Sequence, residues 1–419
     1  MKKQFVLMII LSVFTGYSQS VISLQGCYDK ARINYPLTKQ KDLIEKTKDY
    51  NVTNVWLGYL PQITINGVAT YQSDVTSLPI TIPGMNIDKL TQDQYKVYAD
   101  VTQAIYDGGI MSSQSDIHKS YAEVDDHKIE VELIKVKERV NQIYFGILLI
   151  DAQINQVNLL MEDLTSSILK LEAAYSNGTA TKSDVDNLKA EFLKNELRKI
   201  ELLSSKKSYL NTLGLFTNET LNESVKLEIP VENISESTYE INRPELSLLS
   251  AQKNLLNNQS GITDSKIIPK ASLFFQGGYG KPALNMLKND FEWYYTTGIR
   301  FSWSLSNLYT YSNESEINEL AQSNIDAQSN TFLLNTKILA SQQLEDIQKL
   351  KKTIEIDKQI IELRKSVKEA SKAKLENGVI TTSDYIRDLN AEDVAIQNLD
   401  LHRIQLLMTY YSNKITTGN

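Results

Sequence analysis

This chain of 419 residues contains little cysteine and histidine, and it has no excess of positive charge. One cysteine excludes a disulfide framework and a cysteine-based metal cage. Three histidines leave little material for a zinc site or for histidine-dependent catalysis. The 51 acidic residues outnumber the 44 basic ones and give a formal net charge of −7, which argues against a general nucleic-acid binder. We therefore expect no enzyme activity, no cofactor, no metal site and no nucleic-acid partner.

Proline is also sparse, and its distribution is uneven. None of the eight prolines lies in 84–229 or in 283–419. Because proline inside a helix costs about 3 kcal/mol, these two stretches can hold very long helices. The stretches that contain proline must hold other structure.

The sequence contains two copies of one unit of about 200 residues. Pro36 matches Pro244 and Pro61 matches Pro269, both 208 positions apart, while Gly178 matches Gly378 and Asp184 matches Asp384, both 200 positions apart. Such a duplication determines the fold plan before any single motif is considered. We place the first repeat at 19–215, an inter-repeat linker at 216–240 and the second repeat at 241–417.

The N-terminus has the pattern of a secretory signal peptide. Lys2 and Lys3 precede an apolar run, 5–14, that is too short to span a bilayer. We predict a signal peptide over 1–18, with a buried N-terminal helix as the alternative. Cys27 lies too far beyond the apolar run for lipid attachment, so we expect a buried thiol in the first helix. No later run of 18 apolar residues follows, which predicts no transmembrane helix.

Four segments alternate apolar and polar residues with the period of a β-strand. They are 63–72, 95–102, 271–279 and 295–305. They predict two hairpins, at about 62–105 and about 270–305, with long connecting loops. Strands of this length cross a bilayer when tilted. One face is apolar, and the other carries Lys96, Asp100 and Arg300, as expected for a barrel with lipid outside and water inside.

Four strands are too few to close a membrane barrel, because the smallest known type has about eight. Open sheet edges are also energetically excluded in lipid. If these are membrane strands, copies of the chain must associate to close the sheet. The alternative is a soluble antiparallel sheet packed on helices, in which Lys96 and Arg300 would need a solvent-facing side.

Elsewhere the apolar residues recur at intervals of three and four residues, which predicts helices. We predict helical hairpins at about 107–213 and about 306–415, each with a long helix, a turn at an Asn-Gly pair and a return helix. Shorter helices are predicted at about 24–57 and 244–266. A helix of about 65 residues is roughly 100 Å long. A coiled-coil spacer and a wall of helices extending a pore are both compatible with that length.

The ordered motifs resemble those of the TolC-type outer-membrane efflux and export ducts. The residues that carry the resemblance are Ser23-Leu24, Ala31, Asn34-Tyr35-Pro36, Leu60-Pro61-Gln62-Ile63, Ile105-Tyr106-Asp107-Gly108-Gly109, and the two Asn-Gly pairs with their trailing Ser-Asp. The resemblance covers nearly all of the chain after the signal peptide. It implies a mainly α fold with a membrane β-barrel contribution.

In that family three protomers form a twelve-stranded barrel in the outer membrane and an α-helical barrel in the periplasm. The resemblance therefore implies a homotrimer in outer-membrane lipid. It also implies a periplasmic adaptor protein and an inner-membrane pump of RND or ABC type as partners. The pump supplies the energy, so the duct itself needs no catalytic residues.

Acidic residues narrow the family's periplasmic entrance, at the start of the last return helix. The matching residue is Asp384, with Asp184 as its repeat counterpart. Arg387 occupies the position of a second family acid, and Asp388 follows it. Either Asp388 replaces the missing acid, or an Asp384–Arg387 pair closes the entrance between protomers. A ring of Asp384 residues predicts cation preference.

The same residues also have a purely structural interpretation. Acids in the first turn of a helix interact favourably with its dipole, and Ser183 and Ser383 are good caps. The resemblance makes the two turns the adaptor contact: Asn177, Gly178 and Thr179 in the first repeat, and Asn377, Gly378 and Val379 in the second. A glycine there also supplies the left-handed conformation that ends a helix.

A different class of function remains open on the residues alone. A periplasmic or surface coiled-coil protein, structural or adaptor in kind, would share the helical hairpins. It would not need four strands of bilayer length. In a duct, Lys96, Asp100 and Arg300 would line the lumen and tune conductance.

Overall fold

The computed structural model describes residues 21–76, 90–231 and 240–419. The predicted signal peptide, 1–18, lies outside the described residues, as do Pro79 and Pro83 of the first hairpin loop. Within the described residues the α-helices are α1 (Leu24–Asn34), α2 (Gln40–Leu57), α3 (Ile110–Ser176), α4 (Lys182–Thr217), α5 (Pro244–Lys266), α6 (Leu308–Glu376) and α7 (Thr382–Thr417). The strands are β1 (Gln62–Tyr71), β2 (Asp93–Tyr106), β3 (Lys270–Lys281) and β4 (Glu292–Ser302). The described elements follow one order twice: helix, two strands, long helix and return helix.

The two proline-free stretches hold the longest helices. α3 has 67 residues and α6 has 69, so each is roughly 100 Å long at about 1.5 Å per residue. By composition, α3 contains a window apolar enough to cross a membrane, with a mean hydropathy of 1.3. A core helix meets the same criterion, and α3 contributes Val140, Tyr144 and Ile147 to a buried core.

Two of the element boundaries that differ from the sequence prediction have a local explanation. The stretch 24–57 is two helices, because Pro36 begins a 3₁₀ turn, Pro36–Lys39, between α1 and α2; proline lacks the N–H that would continue the first helix. β4 ends at Ser302 rather than at 305. There the indole of Trp303 donates a hydrogen bond to the carbonyl of Ile267 (3.0 Å).

The four strands form one antiparallel sheet in the order β1-β2-β3-β4. Ile65 lies opposite Ala99, Ala99 opposite Gly277, and Gly277 opposite Tyr295. This register places the apolar residues of all four strands on one face, because side chains alternate along each strand. The predicted apolar face is therefore continuous across the sheet.

The described residues divide into two compact units, and each unit contains residues from both repeats. One unit contains the sheet and comprises the described residues within 39–131 and 244–332. The other comprises the described residues within 1–38, 132–243 and 333–419, and its core includes Cys27, which is fully buried. Burial raises the pKa of the Cys27 thiol to about 11, and the prediction of a buried thiol is confirmed.

Candidate functional site

The sheet exposes its apolar face. Ile65 is 77% exposed, Trp293 81% and Ile299 71%. Further apolar residues on this face are exposed as well: Ile63, Tyr71, Tyr95, Val97, Leu273, Phe275, Tyr279, Tyr295 and Phe301. A contiguous apolar surface of this kind on a soluble protein marks a contact with protein or membrane.

The opposite face carries the three charged residues that the sequence singled out. Lys96, Asp100 and Arg300 lie on this face, together with the aromatic residues Tyr98, Phe274 and Tyr294. The guanidinium of Arg300 lies 5.0 Å from the centre of the Phe274 ring, within the range of a cation–π contact. Lys96 lies opposite Gly280, where a Cβ would come within 2.7 Å of the lysine Cγ.

Asp107 connects β2 to α3. Its carboxylate accepts hydrogen bonds from the backbone N–H groups of Gly109 (2.9 Å) and Met111 (2.7 Å) and from the hydroxyl of Tyr59 (3.1 Å). Gly108 and Gly109 have φ of 76° and 88°, a region that other residues rarely adopt. These contacts explain why the motif at the end of β2 needs an acid followed by two glycines.

The two helical hairpins, α3–α4 and α6–α7, have equivalent tips. Gly178 and Gly378 have φ of 76° and 68°. The N–H of Thr179 donates to the carbonyl of Ala174 (2.9 Å), and that of Val379 to Lys374 (2.8 Å). This is the six-to-one bond of a Schellman motif, which ends a helix at a left-handed glycine. No atom lies within 4 Å of a Cβ built on either glycine, so both tips have free space around them.

The return helices begin with capping boxes, but the predicted cap residues are wrong. Thr181 and Thr381, not Ser183 and Ser383, are the N-caps of α4 and α7. In each case the threonine hydroxyl accepts from the backbone N–H three residues on, and Asp184 or Asp384 accepts from the N–H of the cap. The threonines are extended, with ψ of 159° and 157°, as an N-cap requires, whereas the serines already lie inside the helix.

Asp184 also connects the two hairpins. The hydroxyl of Thr382, in the first turn of α7, donates to Oδ1 of Asp184 at 2.8 Å. Hydrogen bonds from Thr181 and then Thr382 lower the pKa of Asp184. Thr382 was not predicted from the sequence, although its counterpart in the first repeat is the unlike Lys182.

The remaining predicted entrance residues lie on α7. A guanidinium nitrogen of Arg387 lies 3.5 Å from a carboxylate oxygen of Asp384 in the same chain. The Arg387 side chain also lies 3.5 Å from Asp388, whose carboxylate accepts a hydrogen bond from Ser371 of α6. Asp388 is thus largely covered within its own hairpin, with 16% of its side chain exposed, while Asp384 stays open to solvent.

An open groove of about 790 Å³ lies between the two tips. Gly178, Gly378, Asp184 and Thr382 are among its lining residues. The hairpins are joined beside it by an ion pair between Lys170 and Glu376 (2.8 Å). The six residues proposed from the sequence as tips therefore belong to two neighbouring turns.

A buried polar cluster, called here the Asp393 cluster, lies farther along the hairpins. Gln156 of α3 and Arg198 of α4 each lie 3.2 Å from Asp393 of α7, and Gln397 donates to the same carboxylate. Paired and hydrogen-bonded, the charge of Asp393 is compensated despite burial. The cluster was not predicted from the sequence, because its members are far apart in the chain.

No protein-family profile and no curated protein sequence matches the chain. Solved structures match over most of its length. The outer membrane protein VceC of Vibrio cholerae is 14% identical, with a TM-score of 0.68 over 94% of this chain and 96% of that one. The CmeC outer membrane channel of Campylobacter jejuni is 15% identical, with a TM-score of 0.66 over 94% and 85%. The open MtrE outer membrane channel of Neisseria gonorrhoeae is 12% identical, with a TM-score of 0.67 over 94% and 89%.

The similarity to these structures is one of fold. The matched region covers 94% of this chain. The resemblance inferred from the sequence motifs is confirmed at that level. The chain has the fold of the TolC-type outer-membrane channels.

Proposed function

We propose that the protein is the outer-membrane exit duct of an efflux or type I secretion system. In this role it conducts passively what an inner-membrane pump delivers. The observation that carries the proposal is the sheet, whose apolar face is exposed on all four strands while its other face bears Lys96, Asp100 and Arg300. That dyad pattern suits a barrel wall with lipid on one side and water on the other.

The sheet also requires further copies of the chain. Within the described residues β1 and β4 each pair on one side only, and an unpaired edge is too costly in lipid. Three copies would supply twelve strands, an even number in the range of known membrane barrels. We therefore propose a homotrimer, with its helical hairpins on the periplasmic side.

The hairpin tips are the proposed contact with a periplasmic adaptor protein. Both turns project left-handed glycines into free space, and Val379 is 68% exposed. Through the adaptor the duct would meet an inner-membrane pump of RND or ABC type. CmeC and MtrE, which have a similar fold, are outer membrane channels, and they support this assignment by analogy.

Reconstitution tests the proposal directly. The purified protein should fractionate with outer membranes, migrate as a heat-modifiable trimer and produce discrete conductance steps in a planar lipid bilayer. A soluble coiled-coil structural or adaptor protein would do none of these. Recovery of a monodisperse protein that stays out of membranes and conducts no ions would overturn the duct.

Asp384 is the proposed selectivity residue of the entrance. Three copies of this exposed carboxylate around one axis would attract cations. Arg387 and Asp388 share its neighbourhood, and Asp184 is its counterpart in the first repeat. We expect Asp384→Ala to reduce the cation preference of single channels, and an unchanged reversal potential across a salt gradient would contradict this role.

A further inference from the structure

The helical hairpins carry exposed apolar residues that the single chain leaves without cover. On α6 these are Ile356 (57% exposed) and Leu363 (70%), seven residues apart and so on one side of the helix. On α4, Leu193 and Leu197 are each 59% exposed. Apolar stripes on a helix normally face another element.

The repeat provides a residue-by-residue correspondence between the hairpins. α4 and α7 both have 36 residues and start at 182 and 382. α3 and α6 end at 176 and 376. Positions 200 apart are therefore equivalent along these helices without a gap. If the hairpins are evenly spaced around a closed ring of copies, each contact from the first hairpin to the second within a chain has an equivalent from the second hairpin to the first hairpin of the next copy.

Applied to the Asp393 cluster, this correspondence changes three of its four polar residues into apolar ones, whereas Arg198 keeps a polar counterpart, Asn398. The counterpart of Asp393 is Leu193, and that of Gln156 is Ile356. Gln397 corresponds to Leu197. The atoms of Gln156 and Asp393 are 3.2 Å apart within the chain, so Ile356 of one copy and Leu193 of the next are expected in contact.

The same change occurs at a second contact. Lys368 of α6 donates to Asp163 of α3 at 3.2 Å. The counterparts are Ile168, which is partly buried against a cluster that includes Leu164 of α3 and Tyr385 of α7, and Leu363. A polar pair inside the chain again corresponds to an apolar pair between copies.

At the tips the correspondence predicts a complementary charge pair. Within the chain, the neutral hydroxyl of Thr382 meets Asp184. The equivalent residues are Lys182, which is exposed, and Asp384, which is partly exposed. Between copies a lysine would therefore meet the carboxylate that Arg387 approaches only to 3.5 Å.

We propose that Ile356 and Leu363 of one copy pack on Leu193, Leu197 and Ile168 of a second copy, with Lys182 beside Asp384 at the end of this seam. The inference rests on the trimeric duct proposed above. It assigns the polar contacts of Asp393 and Lys368 to the interior of each protomer, and their apolar counterparts to the junction between protomers. Apolar seams form from separate chains without leaving buried charges unpaired.

Cysteine cross-linking of the full-length protein in membranes tests the seam. The pair Leu193→Cys with Ile356→Cys should form a disulfide-linked trimer on mild oxidation, while native Cys27 is buried and out of reach. The control pairs Leu193→Cys with Lys358→Cys. Lys358 lies two residues along α6 and about 200° around the helix, so it should give no cross-linked trimer.

The possible outcomes separate the seam from the duct. If the trimer forms but the first cysteine pair gives no cross-link, or gives one only within a single chain, the seam is refuted. The proposed duct function is not affected by that outcome. A wild-type protein that forms no trimer overturns the proposed function itself. As a second measurement, Leu193→Lys and Ile356→Glu should each lower the trimer fraction severalfold, and combining them should restore it; failure of that rescue would also count against the seam.

Discussion

Thr382 donates a hydrogen bond to Asp184 across the two hairpin tips, with 2.8 Å between Oγ1 and Oδ1. The other oxygen of the same carboxylate accepts from the hydroxyl of Thr181 at 2.6 Å. One aspartate therefore both caps its own helix and connects the two repeats. Its counterpart Asp384 makes the cap through Oδ2 but has Arg387 near Oδ1.

Thr382→Val should lower the local stability of the hairpin tips. The substitution keeps the shape of a fully covered side chain, 1% exposed, but removes the donor to Asp184. A hydrogen bond of this kind contributes about 0.5–1.5 kcal/mol, or somewhat more to a charged acceptor. Hydrogen exchange of the amides in 179–186 should become faster. Thr382→Ser keeps the hydroxyl and serves as the control; equal protection in both variants would contradict the role of this bond.

The protection of the tips should depend on pH only in the acid range. The hydrogen bonds from Thr181 and Thr382 hold the pKa of Asp184 below its ordinary value of 3.8. A lowered pKa in the folded state stabilises the tips at pH values above 3.8, and that stabilisation disappears as pH falls through the lowered pKa. Intrinsic-rate-corrected hydrogen exchange between pH 6 and 2 measures it.

The matched variants for that experiment are Asp184→Asn and Asp186→Asn. The first should abolish the acid transition of the amides in 179–186, because it removes the carboxylate that caps α4; Asp384, whose pKa is also lowered by the hydrogen bond from Thr381, should keep its own transition at the tip of the second hairpin. The second changes an exposed residue two positions along α4 and should keep the transition. A transition that survives in Asp184→Asn would assign it to another carboxyl.

Tyr144→Phe should destabilise the core formed by α1, α3 and the inter-repeat linker. The Tyr144 hydroxyl is 2.8 Å from the carbonyl of Ile22 and 2.7 Å from that of Glu228, and the ring is fully buried. Removal of the hydroxyl takes away a hydrogen bond of this kind, which contributes about 0.5–1.5 kcal/mol. Urea unfolding should show the loss, whereas Tyr209→Phe, at a ring that is 40% exposed, should stay close to wild type.

Gly378→Trp should impair export without impairing assembly. The left-handed φ of 68° strains any other residue by about 1–2 kcal/mol, and the indole would cover the tip surface proposed for the adaptor. Gly378→Asn separates these effects, since asparagine tolerates the backbone and adds little bulk. Host tolerance to exported compounds should fall only for the tryptophan variant. Normal tolerance with Gly378→Trp would refute the tip contact.

Ile65→Lys should prevent stable insertion, while the neighbouring Asn66→Lys should not. Ile65 lies on the exposed apolar face and Asn66 on the opposite face. A lysine on the lipid side of a barrel costs up to about 2–4 kcal/mol at mid-depth, but one in the lumen does not. The heat-modifiable trimer fraction in membranes measures the difference. Equal fractions for both variants would mean that the apolar face does not contact lipid.

Helix extents and strand faces could be predicted from the sequence because both depend on local periodicity. The absence of proline between 283 and 419 allowed α6, and the alternation around Ile65 determined which side chains share a face. The end of α1 at Asn34 follows from Pro36 in the same local way. The cap of α4 could not be predicted reliably, because Thr181 and Ser183 are both suitable and only the backbone conformation distinguishes them.

What the sequence by itself determined is the duplicated unit, its helices and strands, and the two-sided character of its sheet. Only the tertiary structure decided which distant residues meet: Thr382 with Asp184, and Gln156 and Arg198 with Asp393. The physical reason is that periodicity reports which side of an element is apolar, but not which neighbour lies against that side. Contacts between hairpins depend on the register of helices whose residues are about 200 positions apart, and that register becomes visible only when the two repeats are packed together.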